Sequence, residues 1–254
     1  MRLQYNYSTR IWFDASIGRH DVLLRCQPMD CAFQHIVSED LYFSDGFWLK
    51  EGHDGLCNRI VYGGTEQQHS TLQYTSCGVV EQTTYCIPDE HPHPMFFLPS
   101  RLTAGLDVRT DSREVFLDRC LDIMHRVHTH LTYTPNVTSM LTSAAEVWQD
   151  RRGVCQDYAH LMVALCRNEG MAARYVCGLM AGEGQTHAWV EVHDGQCWYA
   201  FDPTNDTAVA SGYVKIAHGR DALDCPVSRG TYRCFALGGC NERREIQVKV
   251  NEIK

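Results

Sequence analysis

The chain has 254 residues, of which 44% are hydrophobic and 21% charged, and its formal net charge at pH 7 is −8. This composition excludes disordered, collagen-like and low-complexity chains, and the length suits one large domain or two modest ones. The acidic balance argues against a nucleic-acid-binding protein, and no apolar run reaches the roughly 18 residues of a membrane-spanning helix, so we expect a soluble globular protein without a membrane segment.

The chain contains 13 cysteines, an odd number. Because the residues from Met1 onward lack the apolar stretch of a secretory signal, we expect a cytoplasmic protein with reduced thiols. No C-x-x-C pair occurs, and the gaps between His218, Cys225, Cys234 and Cys240 do not match structural zinc sites. We therefore expect no metal and no cofactor, with most cysteines acting as small buried apolar side chains.

The first 105 residues are predicted to be β-rich. Apolar side chains alternate with polar ones in several short runs, as in strands that bury one face. These runs are Leu3-Tyr5-Tyr7, Ile11-Phe13 and Leu72-Tyr74. Helix-capping residues are scarce in this half, and the strands predict a sandwich-like domain.

Turn and linker signals separate these strands. Asp54-Gly55 and Gly63-Gly64 are predicted to be turns. The proline-rich segment from Pro88 to Pro99 is predicted to be a solvated linker. Its His91 and His93 leave metal binding open as an alternative.

Beyond residue 105 the periodicity becomes helical. Two capping-box patterns predict the starts of two helices, one at Asp111 with Glu114 and one at Ser143 with Glu146. The second of these helices is predicted to end near Gly153. A third helix is predicted to begin at about Cys155 and to end at Gly170. Three histidines of the first helix do not converge on one point and are predicted to be surface or flanking residues; they are His125, His128 and His130.

Strand-like runs follow the third helix. They are Ala173–Leu179, Thr186–Val192, Cys197–Phe201 and Tyr232–Leu237. The order of elements predicts an α+β fold in two domains, a β-rich one at 1–105 and an α+β one at 106–254.

Cys155 differs from the other cysteines because it is predicted to lie at the start of a helix. A thiol in the first turn of a helix faces unpaired backbone N–H groups and the positive end of the helix dipole. Both stabilise a thiolate, which is the nucleophilic form of cysteine. The alternative is that Cys155 only begins the apolar stripe of the helix.

The strands on either side of Asp194-Gly195 are predicted to form a hairpin. A turn centred on these two residues makes His187 lie directly opposite Asp202, with their Cβ atoms about 5 Å apart. An imidazole held by a carboxylate is oriented and can take a proton from a nearby thiol, so Cys155, His187 and Asp202 could form a catalytic triad. The alternative is a His–Asp hydrogen bond that only stabilises the sheet.

The segment from about Tyr133 to Pro226 resembles bacterial members of the transglutaminase-like superfamily. The matching strings begin at Gly153 (GVCQDYAHL), Ala172 (AARYV), Thr186 (THAWVEV) and Phe201 (FDPTN). The N-terminal half is similar to the β domain of those proteins through LLRCQP from Leu23 and HDGLCN from His53.

The resemblance implies Cys155 as the nucleophile, His187 as the general base and acid, and Asp202 as the residue that orients His187. It also implies a core related to papain-like cysteine hydrolases. The backbone N–H of Cys155 is the natural first oxyanion donor, whereas the second cannot be placed. Side chains that could line the site are Trp189, Trp148 and Gln156, although packing roles are the simpler interpretation for each.

This chemistry predicts a thioester acyl-enzyme formed from a protein or peptide substrate. Water would resolve it in a peptidase or amidase, and an amine would resolve it in a cross-linking protein-glutamine γ-glutamyltransferase. Because water greatly outnumbers amines and no EF-hand-like carboxylate spacing is found, we expect a hydrolase. A non-catalytic binding module is a third alternative, and the oligomeric state is not predicted.

Overall fold

The structure is a computed structural model that describes residues 1–88, 91–109 and 115–254. A 3₁₀ turn covers Pro94–Phe96. The other elements, in chain order, are β1 Arg2–Leu24, β2 Gln34–Phe43, β3 Trp48–His53, β4 Arg59–Thr65, β5 His69–Gln82, β6 Ile87–Pro88, α1 Phe116–His130, β7 Thr132–Tyr133, α2 Ala144–Asp150, β8 Arg152–Gly153, α3 Cys155–Asn168, β9 Ala173–Met180, β10 Gly182–Gly184, β11 His187–His193, β12 Cys197–Asp202, β13 Thr207–Val209, β14 Tyr213–Gly219, β15 Ser228–Cys234 and β16 Glu242–Ile253.

The central strand of the first sheet is β1. Its alternation is as predicted, with Leu3, Tyr5 and Tyr7 buried between exposed neighbours. One edge of β1 pairs with β5 and then β4, and the other edge pairs with β16 and then β15, all antiparallel. The register is interrupted between Trp12 and Ile17, where a bulge lets one 23-residue strand change partners on both edges.

The C-terminal strands complete this sheet. Residues 228–253, which the sequence-based division assigns to the second domain, form β15 and β16 and pair with β1. The short strand β10, between β9 and β11, pairs with β16 and so joins the segment between the two sheets to the first sheet. One continuous apolar core contains side chains from both halves. The boundary at residues 105 and 106 stays a prediction.

The second sheet has the order β13-β12-β11-β9-β14, with β6 added beside β12. The helix α3 packs on one face of this sheet, and its residues from Asp157 to Arg167 are buried. Because the helix is covered on nearly all sides, its apolar residues do not form a narrow stripe. The α+β class predicted from the sequence is confirmed.

The local signals succeed for some elements and fail for others. Ser143 and Glu146 form the predicted capping box at the start of α2, with mutual backbone hydrogen bonds of 3.3 and 2.7 Å. The predicted box at Asp111 lies outside the described residues. The turn predicted at Gly63-Gly64 is wrong, because both lie inside β4. A Cβ at Gly63 would be 1.9 Å from the Trp48 carbonyl oxygen, so this glycine permits close strand packing.

Two other boundaries differ from prediction. The last strand predicted at Tyr232–Leu237 begins earlier, as β15 at Ser228, and ends at Cys234. The helix α2 ends before Gly153, at Asp150, and its C-cap residue Arg151 adopts a left-handed conformation with φ of 55°. No helix in the described ranges is long and apolar enough to span a membrane.

Candidate active site

Cys155 is the first residue of α3, as predicted. The end of the helix is closed by Asp157, whose carboxylate accepts a 2.8 Å hydrogen bond from the Val154 backbone and a 2.7 Å bond from the Thr138 hydroxyl. A Cβ at Gly153 would lie 2.6 Å from the Asp157 Cβ, so the chain can pass this close only with glycine. The cap therefore fixes the backbone immediately before the thiol.

His187 is the first residue of β11, and its Nε2 lies 2.7 Å from Oδ2 of Asp202. The predicted pairing of these two residues is present, but the predicted register is wrong. Val190 pairs with Phe201 and His193 with Trp198, so the strands are shifted by two residues. His187 and Asp202 therefore meet diagonally across the ladder rather than directly opposite each other.

The turn explains this shift. The side chain of Asp194 accepts hydrogen bonds of 2.7 and 2.8 Å from the backbone of Gln196 and Cys197. The turn is therefore centred between Gly195, whose φ is +104°, and Gln196. A shift of two residues keeps every side chain on its predicted face, because side chains in a strand alternate with period two.

Asp202 is completely buried and accepts hydrogen bonds from several donors. Its Oδ2 accepts from His187, from Asn205 Nδ2 at 2.7 Å and from the Tyr213 hydroxyl at 2.8 Å. Its Oδ1 accepts from the backbone of Thr204 and Asn205 at 2.9 and 3.2 Å. Burial alone would raise the pKa of Asp202. The hydrogen bond and charge of His187, together with hydrogen bonds from Asn205 and Tyr213, lower that pKa below its usual range.

The imidazole of His187 is bonded to Asp202 and lines the same cavity as Cys155. Burial alone would lower its pKa, but hydrogen bonds to Asp202 and to the Cys155 thiol, with their negative charges, raise it to about 9. Because Nε2 is bonded to Asp202, the nitrogen left for the thiol is Nδ1. The site therefore favours an imidazolium next to sulfur at neutral pH.

A cavity of about 730 Å³ opens above these residues. Cys155, Gln156 and His187 line it from the second half of the chain. Arg244 and Ile246 of β16 line it from the first sheet. The Cys155 thiol and the His187 imidazole therefore border a space large enough for a segment of peptide, bounded by strands of both sheets.

The three side chains that could line the site have different positions. Gln156 lines the cavity. Trp189 is fully buried beneath His187, with its Nε1 3.1 Å from the Tyr85 hydroxyl. Trp148 stacks on His130 with ring centroids 3.8 Å apart, away from the cavity. Packing is therefore the observed role of both tryptophans.

Other predicted polar residues also have structural partners. His125 lies 2.8 Å from an oxygen of Asp206, and Nε2 of His130 lies 2.8 Å from the Trp148 carbonyl oxygen. His93 accepts a hydrogen bond from the Met95 backbone at the start of the 3₁₀ turn. Among the described residues, no three His, Cys, Asp or Glu side chains are grouped as metal ligands.

Sequence reasoning missed two donors to Asp202. Asn205 is the last residue of the matched string FDPTN and lies three positions after Asp202, where an Asx-type turn brings it back to the carboxylate. Tyr213 comes from the far edge strand, β14, and no local signal connects it to Asp202. Only the order of strands in the sheet brings the two together.

Comparisons with known proteins find the family resemblance that the sequence indicates. Residues 102–203 match the family model of the transglutaminase-like superfamily. An uncharacterized protein of Mycobacterium tuberculosis is 38% identical over 125 residues, and one of Mycobacterium leprae is 35% identical over 112 residues. These matches cover 43% and 40% of this chain, and only 40% of the length of each relative.

Among solved structures, the fold is similar along the whole chain to one described as a "putative cysteine protease" from Cytophaga hutchinsonii. The TM-score is 0.77 at 21% sequence identity, and the match covers 100% of this chain and 93% of the other. At this identity the likeness establishes a shared fold. The family match covers most of the strings noted in the sequence, so the predicted resemblance to the transglutaminase-like superfamily is confirmed for residues 102–203.

Proposed function

We propose that the protein is a cysteine-dependent hydrolase of peptide or carboxamide bonds in a protein or peptide substrate. The observation that carries the proposal is the placement of His187 between the Asp202 carboxylate and the Cys155 thiol, beside a peptide-sized cavity. Cysteine hydrolases need this order of groups: a nucleophile, a base, and an acid that holds the base.

In the proposed reaction, the Cys155 sulfur attacks the carbonyl carbon, and the electron pair of the C=O bond moves to oxygen. When the C–N bond breaks, the imidazolium of His187 gives its proton to the leaving nitrogen, and a thioester forms. His187 then takes a proton from water, whose oxygen attacks the thioester. The products are a carboxylic acid, an amine and the free thiolate.

The environment of His187 supports this division of roles. Its pKa of about 9 keeps the ring protonated at neutral pH, ready to protonate a leaving amine. Asp202, held by five hydrogen bonds, fixes the ring through Nε2 and leaves Nδ1 to interact with the Cys155 thiol. A sheet-stabilising bond alone would not require an additional thiol partner.

The first experiment tests the nucleophile by alkylation with iodoacetamide at mildly acidic pH, where an ordinary thiol reacts slowly. We expect one rapidly modified site, which Cys155→Ala removes. Cys57→Ala is the matched control, because Cys57 is an exposed free thiol outside the cavity and its loss should leave the rapid phase unchanged. Equal rapid labelling of Cys155→Ala would overturn the proposal.

The second experiment separates hydrolysis from transfer. The protein is incubated with casein and a labelled primary amine, and Cys155→Ala serves as the blank. New amino termini or ammonia without label support hydrolysis, whereas label in casein supports the cross-linking alternative, in which an amine resolves the thioester. Absence of both, with rapid alkylation retained, would instead favour a binding module.

A further inference from the structure

The tetrahedral intermediate of the proposed reaction places negative charge on the former carbonyl oxygen. Enzymes of this kind stabilise that oxygen with preorganised hydrogen-bond donors, commonly two. The N–H of Cys155 is one suitable donor, because the first N–H groups of a helix have no acceptor within it. The second donor must lie in the same cavity and must be held in place.

Tyr175 lies on the wall of this cavity. It lies in the middle of β9, opposite Val190 of β11, and lines the cavity that holds Cys155 and His187. Pairing on both sides by β11 and β14 fixes its backbone, and its ring packs on His160 with centroids 5.1 Å apart. The residue is only 5% exposed.

The hydroxyl of Tyr175 has no hydrogen-bond partner within the part of the chain that the structure describes. The hydroxyl of Tyr5 also lacks one, but it is sealed inside the core. Tyr175 differs because it faces the cavity space. The Tyr175 hydroxyl is not among the fully buried unpaired polar atoms, so it is open to the cavity and can donate to an acceptor that enters there.

The protonation state of Tyr175 suits a donor. Burial raises the pKa of its hydroxyl well above the usual range, and the nearby thiols of Cys177, Cys225 and Cys155 raise it further. The phenol therefore keeps its proton throughout the working range of the site. It can donate a hydrogen bond but cannot act as a base.

Other polar side chains of the cavity are less suitable. Gln156 is half-buried, and Gln185 and Tyr133 are exposed, so water competes for their donors. Thr138 already donates to Asp157. Tyr175 is the buried, strand-held donor in this group, and a donor fixed in advance needs no reorganisation when charge develops.

We propose that Tyr175 is a catalytic residue whose hydroxyl, together with the Cys155 N–H, donates a hydrogen bond to the carbonyl oxygen of the substrate as the tetrahedral intermediate forms. No proton is transferred from Tyr175. The C=O electron pair becomes the oxyanion lone pair and returns when the C–N bond breaks. The inference rests on the acyl-enzyme chemistry of the proposed function.

The test compares two reactions of the same thiol. Acylation by p-nitrophenyl acetate passes through an oxyanion, whereas alkylation by iodoacetamide does not. In Tyr175→Phe we expect the nitrophenolate burst to slow about 100-fold, as for loss of one oxyanion donor, while the alkylation rate stays within about twofold. Tyr158→Phe is the matched control, because Tyr158 is equally buried but does not line the cavity, and both rates should be retained. Cys155→Ala gives the background rate.

A substrate change provides a second measurement that does not depend on how well Tyr175→Phe folds. In the thiono ester, sulfur replaces the carbonyl oxygen and accepts hydrogen bonds poorly. With this ester, we expect the acylation rate of the wild-type chain to fall close to the background rate of Cys155→Ala. The acylation rates of the wild type and Tyr175→Phe should then become equal.

The outcomes separate the two proposals. If Tyr175→Phe is acylated as fast as the wild type, the role of Tyr175 is overturned and the proposed function still stands. Equal loss of acylation and alkylation in Tyr175→Phe would also overturn it, because the tyrosine would then be positioning the thiol. A wild-type chain that alkylates rapidly at Cys155 but never releases nitrophenolate would overturn both.

Discussion

The charge of Asp202 should control the pH at which activity declines on the alkaline side. The pKa of His187 is raised from 6.5 to about 9. That change corresponds to about 3 kcal/mol in favour of the imidazolium, at 1.36 kcal/mol for each pKa unit. Asp202 provides the largest favourable contribution and Cys155 the next. His187 is only 10% exposed, so solvent screens these interactions little.

Replacing Asp202 by asparagine keeps the size of the side chain and removes its charge. In the wild type, the alkaline limb of the kcat/KM profile should lie near pH 9, where the imidazolium loses its proton. In Asp202→Asn we expect this limb to move toward lower pH by at least one unit, because Cys155 alone then opposes desolvation. Activity at the optimum should also fall, because an amide can hold the wrong tautomer of the ring.

The assay is a pH series of peptide or ester hydrolysis under identical buffer and salt. Asp206→Asn is the matched control, because Asp206 lies on the same loop and contacts a histidine, His125, at 2.8 Å, but on the surface. Its profile should match the wild type. If Asp202→Asn lowers the rate by the same factor at every pH and leaves the alkaline limb in place, Asp202 does not set the charge state of His187.

Further predictions concern the support of the site and its stability. Tyr213→Phe removes a 2.8 Å hydrogen bond to Asp202. We expect kcat to fall about 10-fold with little change in KM, because a hydrogen bond to a charged group contributes about 1.5–3 kcal/mol. An unchanged kcat would contradict this prediction. The stability difference between wild type and Asp202→Asn, measured by urea unfolding, should be present at pH 6 and shrink as the pH rises through about 9, because the imidazolium that Asp202 stabilises is lost there. Gly178→Ala should lower the free energy of unfolding by about 1–3 kcal/mol, because the added Cβ would lie 2.1 Å from a backbone oxygen. In the control Gly184→Ala, the added Cβ meets nothing within 4 Å, and the change should be nearly neutral. Equal effects of the two substitutions in thermal unfolding would refute this packing.

The local signals of the sequence carried much of the site. Cys155 at the start of a helix and the Ser143 capping box depend only on neighbouring residues, and both were predicted. The positions of Tyr213 and of β16 depend on strand order over long sequence separations. No pattern in one strand specifies which distant strand it will pair with, so these contacts were not predicted.

The hairpin shows why a wrong register still gave the right pair. The centre of the turn was predicted one residue too early. For two strands joined by a turn, the numbers of paired residues add to a constant, and moving the turn by one residue changes that sum by two. Every side chain therefore kept its face, and His187 remained on the same side as Asp202. An error that moved that sum by one would have placed the imidazole on the opposite face from the carboxylate.

The first sheet contributes directly to the cavity, and this bears on its role in the proposed function. Arg244 and Ile246 lie on β16, and the same strand pairs with β10, which joins β9 to the strand of His187. A substrate in the cavity would therefore touch both sheets. Because β16 also pairs along most of β1, the position of this wall depends on the whole first sheet rather than on a mobile loop. The first sheet is thus built into the rim of the site through β16, and removing residues 1–105 would take away the partner strand of β16 as well as part of the core.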